Sequence, residues 1–267
     1  MTELAAVVDA VAVLGPGLAG WNEARDVLAG RRAFERTPAA VPAPALLPAN
    51  ERRRSGMAVR IALAVGAAAL ESAGRAPSAV PTVFASSTAD GDTCHAICEQ
   101  LAGPDRMISP TRFHNSVHNA PAGYWSIATR CMAASTSLCA HDGSFVAGLL
   151  EAGALVRAGG EPVLLIAYDA PYPEPLRSAA HRTPDPFGVA MLLAPQAGPA
   201  SLVRLELSLD PRPASAMAEP GLEALRRDIP TARALPLLAR IAHGDAGEAR
   251  LAYLEDLSLS VRVAPCV

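Results

Sequence analysis

Short apolar runs and helical spacings alternate along the whole chain. Val7 to Leu14 has the pattern of a buried strand, and Trp21 to Ala29 predicts a short helix stopped at Gly30. Pro38, Pro42, Pro44 and Pro48 then impose an extended stretch. Glu51-Arg52-Arg53-Arg54 opens a helix whose apolar body runs from Met57 to Leu70. A strand over Val80 to Ser86 and a helix over Thr93 to Leu101 follow. Further on, Pro162 to Ala167 and Phe187 to Leu193 predict buried strands. The proline-rich excursion between them, Tyr168 to Pro186, carries Asp169 and Arg182. Leu202 to Leu209 alternates as a half-exposed strand does. Leu222 to Ile241 is helical with breaks at Pro230 and Pro236, and Leu251 to Val263 reads as one long strand or a pair. Strands alternating with helices predict a layered α/β structure over residues 1–267, with no internal repeat.

The densest chemistry lies between Ser109 and Glu151. Phe113, His114, Asn115, His118 and Asn119 precede the aromatic pair Tyr124 and Trp125. The uncharged run Ala133-Ala134-Ser135-Thr136-Ser137-Leu138 then predicts a strand, and Cys139 to Ser144 a tight elbow. From Phe145 onward, Val146, Leu149 and Leu150 recur at helical spacing. A helix start leaves its first N–H groups unpaired and favours negative charge there. Asp142, followed by Gly143 and Ser144, is therefore expected to cap that helix.

Composition narrows the function. Apolar residues make up 51% of the chain and aromatics 4%, so small aliphatic side chains build the core. A net charge of -3 provides no electrostatic footprint for nucleic acid. No apolar run reaches the ~20 residues a membrane span requires, and the amino terminus lacks a basic leader region. The expected location is the cytoplasm. Five cysteines form no disulfide framework and read as reduced thiols.

Several motif-like arrangements carry less than they suggest. Gly15-Pro16-Gly17-Leu18-Ala19-Gly20 spells the dinucleotide fingerprint, but a proline-rich loop stands where a second strand should present an acid to the ribose. It reads as a plain turn, and no cofactor is expected. Cys94, His95 and Cys98 lack a further ligand pair, and His114 and His118 could share a helix face but have no third ligand; no metal site is expected. A hydrolytic triad from His141, Asp142 and Ser144 fails because neighbours on one turn cannot adopt the geometry. The arginine run reads as a solvated face, or more sharply as a contact for an acidic carrier protein.

Gly15-Pro-Gly-Leu with Trp21, Leu47 to Arg54, Val83 to Ser87, Asn119-Ala-Pro-Ala-Gly123 and the run to Glu151-Ala152 resemble, in that order, the amino-terminal half of β-ketoacyl synthases. The resemblance covers about residues 7–194, and Phe113 to Trp125 is especially similar to short chain-length-factor-like subunits of aryl polyene (xanthomonadin-type) synthases. It implies a thiolase-like mixed sheet with flanking helices. It also implies a non-catalytic subunit that pairs with a catalytic β-ketoacyl synthase and works with an acyl carrier protein in polyene or fatty-acid-like chain elongation. In catalytic members a cysteine stands nine residues before the acid of the following acid–alanine pair; counting back from Glu151 reaches Asp142, and Cys139 lies three residues early. Their two downstream histidine motifs are missing too, since only His181 and His243 follow. Claisen condensation needs a thiolate to hold the acyl chain and imidazoles to stabilise the enolate. Asp142 supplies neither. The resemblance further implies partner pairing through Ala133, Ala134, Ser135, Thr136, Ser137 and Leu138, and an acyl tunnel closed by Phe113, Tyr124, Trp125 and Phe145. The competing readings are a stand-alone acyltransferase or hydrolase using Cys139 or Ser144, and a self-associating scaffold.

Overall fold

The computed structural model describes residues 4–180 and 183–266, which leaves His181 and Arg182 outside the described part. The elements run β1 (Leu4–Gly15), β2 (Leu18–Ala19), α1 (Trp21–Leu28), α2 (Ala49–Arg54), α3 (Met57–Ser72), β3 (Thr82–Ala85), α4 (Gly91–Ala102), α5 (Pro110–Asn115) and α6 (Ala120–Thr129). Then come β4 (Ser135–Leu138), α7 (Ser144–Gly159), β5 (Val163–Asp169), α8 (Leu176–Ala180), β6 (Phe187–Ala194) and β7 (Val203–Asp210). The chain continues through α9 (Pro220–Asp228), a 3-10 turn at Thr231–Ala234, α10 (Leu235–His243), β8 (Gly247–Leu254) and β9 (Leu257–Pro265).

All the strands join one mixed sheet, ordered β4-β3-β5-β6-β1-β7-β9-β8, with β2 folded back on β1. β4, β3 and β5 are parallel, while the remaining pairs are antiparallel. The predicted alternation of layers is therefore observed. Gly15 to Gly20, the spurious fingerprint, is the β1–β2 hairpin and the entry to α1, with Gly17 at φ +69. The arginine run forms its own short helix, α2, because the chain turns extended at Ser55 before α3 begins. Arg52 donates to the Ala45 and Leu47 carbonyls and Arg54 pairs with Glu51, so these side chains serve the local fold. His114 and His118 do not share a helix face, because α5 ends at Asn115.

Successive side chains of a strand point to opposite faces, and here the two faces have separate cores. Val83, Ala85, Leu165 and Ala167 face α7, and α1 and α10 contribute to the same core. Phe84, Leu164, Ile166 and Tyr168 face α3 and α6. In β1 a bulge between Val8 and Ala10 shifts the register. As a result Ala6 and Val8 before it, and Val11 and Val13 after it, all reach the α7 side. Beyond β1 the sheet carries on around α7, since Ala249, Leu251, Leu259 and Val261 of β8 and β9 join the same core.

The two ends of the sheet differ. At β8 the outward N–H and carbonyl of Arg250 are both taken by Ser215, and the strand carries Glu248 and Arg250. At β4 the outer edge reads Ser-Thr-Ser-Leu and carries no charge. Exposed strand edges are normally blocked or charged; only the β8 edge is.

α3 packs onto β6 through a glycine. A Cβ on Gly188 would stand 2.5 Å from Ile61 Cγ2 and 3.0 Å from Val65 Cγ1. Gly188→Ala should force helix and strand apart and lower stability by about 1–3 kcal/mol, the range for an overpacked core. Urea midpoints for the two proteins check this, and equal midpoints would refute it.

Candidate functional site: the elbow before α7

The parallel strands β4, β3 and β5 end side by side, and the loops leaving them converge. Ser87 follows β3, the elbow Cys139–Gly143 follows β4, and Asp169 closes β5. Asp169 is fully buried. Its Oδ1 accepts from the backbone N–H groups of Ser87 and Thr88, each at 2.9 Å, and from the Thr88 hydroxyl at 3.1 Å. Its Oδ2 accepts from the N–H and hydroxyl of Thr231 at 2.8 and 2.7 Å. Burial pushes this carboxyl above the usual range, and the surrounding donors oppose that shift. The adjacent Tyr168 hydroxyl is buried without a partner among the described residues, and burial, with the Asp169 charge second, holds its ionisation well above that of an ordinary phenol.

These contacts reach the elbow from two directions. Ser87 Oγ donates to the His141 carbonyl and meets Ser144 Oγ at 2.9 Å. Ser144 is 1% exposed. Its hydroxyl accepts from the Ala140 N–H and donates to the same His141 carbonyl. From below, Arg233, on the 3-10 turn that carries Thr231, pairs with Asp142 at 2.8 Å. On the β8 side, a Cβ on Gly143 would lie 2.6 Å from the Tyr253 carbonyl, so only glycine fits there.

The backbone corrects the reading of the tip. The left-handed residue is His141, at φ +49, one position before Asp142. A non-glycine residue in this region is strained and persists only where its surroundings hold it; the two hydroxyls on its carbonyl do so here. Its ring is outside, with 85% of the side chain exposed. Asp142 does not cap α7 either. Gly143 is the cap residue and makes no side-chain cap, while the Asp142 carboxylate turns back to Arg233. Nothing in the local sequence could announce that partner, which lies 91 residues away.

The remaining predicted residues separate. Tyr124 and Trp125 are buried in the α3-side core, where Trp125 meets Phe84 edge-on and Tyr124 donates to Asn115. Phe145 is buried in the α7-side core, across the sheet from them. Phe113 is 66% exposed. The structure therefore does not gather the four into one lining, because α6 and α7 flank opposite faces. Ser135, Thr136, Ser137 and Leu138 form β4 at the sheet edge, with Ala133 and Ala134 leading into it. Cys139 is exposed just beyond that strand, two residues before the tip. Among the described residues no cluster of three potential ligands could hold a metal, all five cysteines are free, and no helix is long and apolar enough to cross a membrane.

A parallel strand running through a left-handed elbow into a central helix, inside a mixed sheet flanked by helices, defines the thiolase-like ketosynthase fold. The chain matches the model of the β-ketoacyl synthase N-terminal domain over residues 23–246 and belongs to that family. That span extends well past the residues in which the sequence resemblance is visible. Solved structures agree on the fold. A chain from the ketosynthase (ApeO) in complex with its chain length factor (ApeC), from Xenorhabdus doucetiae, is 24% identical, with a TM-score of 0.74, 97% of this chain and 99% of that one covered. A chain of the ishigamide ketosynthase/chain length factor is 15% identical, with a TM-score of 0.67 and coverages of 97% and 98%. A β-ketoacyl synthase from Burkholderia phymatum STM815 is 15% identical, with a TM-score of 0.59, and here 91% of this chain covers 71% of that one. A comparison with curated protein sequences finds no match.

Two mutational outcomes follow from the elbow's supports. Asp169→Ala should cost at least about 3 kcal/mol, because it strands several buried donors at about 1–3 kcal/mol each. Asp142→Ala and Arg233→Ala should each destabilise, and the double variant should lose clearly less than their sum, since both remove the same ion pair. Denaturant titration of the set tests this; fully additive losses would mean that the pair does not act as one.

Proposed function

We propose that the chain is a non-catalytic, chain-length-factor-like subunit, a single thiolase-like domain that pairs in the cytoplasm with a catalytic β-ketoacyl synthase. In that complex it would serve elongation of a polyene or fatty-acid-like chain carried by an acyl carrier protein. The observation that carries this reading is the elbow itself. Its strained turn is kept, with hydroxyls holding the carbonyl and an ion pair beneath, while the tip holds His141 followed by Asp142 rather than a thiol. An exposed imidazole and a salt-bridged carboxylate cannot form the thioester that condensation requires. Solved structures similar in fold are ketosynthase–chain length factor complexes, which supports the same reading.

The geometry gives little to the competing enzyme. Ser144 is buried, its hydroxyl donates to the His141 carbonyl, and among the described residues no imidazole accepts its proton. Cys139 is accessible but lies off the tip. The unprotected β4 edge favours a partner, because uncharged edges pair with other strands. Thr136 lies beside Val83, whose side chain faces α7, so Thr136 and Ser137 point to opposite faces of the sheet.

Incubated alone with acyl and malonyl carrier protein, the purified chain should give no ketoacyl product. Turnover that Cys139→Ala abolishes would falsify the non-catalytic reading. Co-expressed with its catalytic β-ketoacyl synthase partner, the chain should emerge as a heterodimer by size exclusion and mass measurement. Lysine at either Thr136 or Ser137 should weaken that dimer by about ten-fold or more, as burying an unpaired charge does. If both variants co-purify at full stoichiometry, β4 is not the contact.

A further inference from the structure

The glycine-rich turn that imitates a nucleotide fingerprint stands at a cavity of about 770 Å³. That size lies within the range of small-molecule sites, about 300–1,000 Å³. The floor is the stretch of β1 from Val11 to Gly15, beside a face of α3 on which Ala64, Ala68 and Ser72 are too short to fill the space. The roof is the proline-rich chain from Thr37 to Pro42, and Trp21 stands in the wall. This place is remote from β4. In the order β4-β3-β5-β6-β1, four strand spacings of about 4.8 Å separate the two, or roughly 19 Å.

The roof is held off the floor at two points. Gly17 donates its N–H to the Thr37 carbonyl at 2.9 Å, and a Cβ on Gly17 would strike the Glu35 carbonyl, so the glycine admits this chain. At the other end Arg60 donates to the Val41 carbonyl at 2.8 Å. Between these bonds Pro38 has a fixed φ and no N–H to pair. The span is therefore stiff, and the cavity is built before any ligand arrives.

Shape and charge limit what fits. α3 begins at the hairpin end, where Gly188, the partner of Leu14, meets Ile61 and Val65. Strand and helix then bound one slot along its length. From Ala64 to Ser72 the helix advances about 12 Å, and from Val11 to Gly15 the strand advances about 14 Å. Of the residues lining the slot only Glu23 is charged. A carboxylate or phosphate inside would find no cation on these walls, and an unpaired buried charge is costly. Asn22, Thr37 and Ser72 offer neutral hydrogen-bonding groups instead.

We propose that this slot binds an uncharged, lipid-like molecule, an unbranched hydrocarbon chain of medium length ending in a hydroxyl or amide. The site does not depend on pairing at β4, and either can fail without the other.

The chain has two tryptophans, Trp21 in the wall of the slot and Trp125 buried in the core, so Trp21 emission reports occupancy. Titrating the full chain with decanol should change that emission saturably, with equilibrium dialysis as a second measure of affinity. Decanoate has the same chain length but carries a carboxylate, and should bind about ten-fold more weakly or worse. Ala68→Leu on the floor and Ala39→Leu on the roof should each weaken decanol binding by about ten-fold or more, by filling the slot. Circular dichroism and melting of both variants should match the wild type, and two positions guard against one variant failing to fold. No saturable binding of decanol to the wild type overturns the site. Unchanged affinity in both folded variants places the alcohol elsewhere and overturns it too. Decanoate binding as tightly as decanol overturns the ligand class.

Discussion

A single buried carboxylate holds the functional end of this molecule together. Among the described residues no cation pairs with Asp169, and an unpaired buried charge is among the costliest things a fold can contain. It is tolerated because donors from two distant segments converge on it, the loop after β3 and the 3-10 turn after α9. Those segments lie 82 and 62 residues away in the chain. Each segment then carries a second contact onward. Ser87 reaches the His141 carbonyl, and Arg233 reaches Asp142. The elbow is thus held from above and below by pieces that Asp169 brings into register, and its strained turn depends on a residue that never touches it.

How much of this could be read in the sequence depended on the range of the interaction. Periodicity is local, and it located the strands and the long helices, including the β4 run and the helix that follows the elbow. It missed whatever depends on partners far along the chain. Asp169 ends an apolar run, and a polar residue there reads as the start of a loop; only Ser87, Thr88 and Thr231 reveal that it belongs to the strand and the core. Asp142 before a glycine reads as a helix cap because the rule is local, yet Arg233 takes the carboxylate instead. Counting residues back along a helix put the tip at Asp142, and the backbone put it at His141. The four aromatic residues cluster in sequence between positions 113 and 145, but a sheet separates Tyr124 and Trp125 from Phe145. The bulge near Val8 is a further case, since it reverses which β1 residues face inward without marking the apolar run.

The elbow's chemistry and its architecture point in different directions. The hydroxyl bonds, the left-handed residue and the close passage of Tyr253 past Gly143 all keep a demanding local geometry. No thiol at the tip uses it. A strained turn without a thiol is intelligible if the shape itself does the work, by fixing where β4 ends and α7 begins, and so the surface presented at the sheet edge.

The two sheet edges also set what kind of assembly this chain can enter. Ser215 closes the β8 edge by taking both outward backbone groups of Arg250, while the β4 edge keeps its groups outward. A sheet with two open ends can add strands indefinitely and grow into fibres. One with a single open end is used up by its first pairing, so growth stops at two. If the chain pairs through β4, the polarity of the sheet itself would favour a finite assembly, independently of which partner arrives.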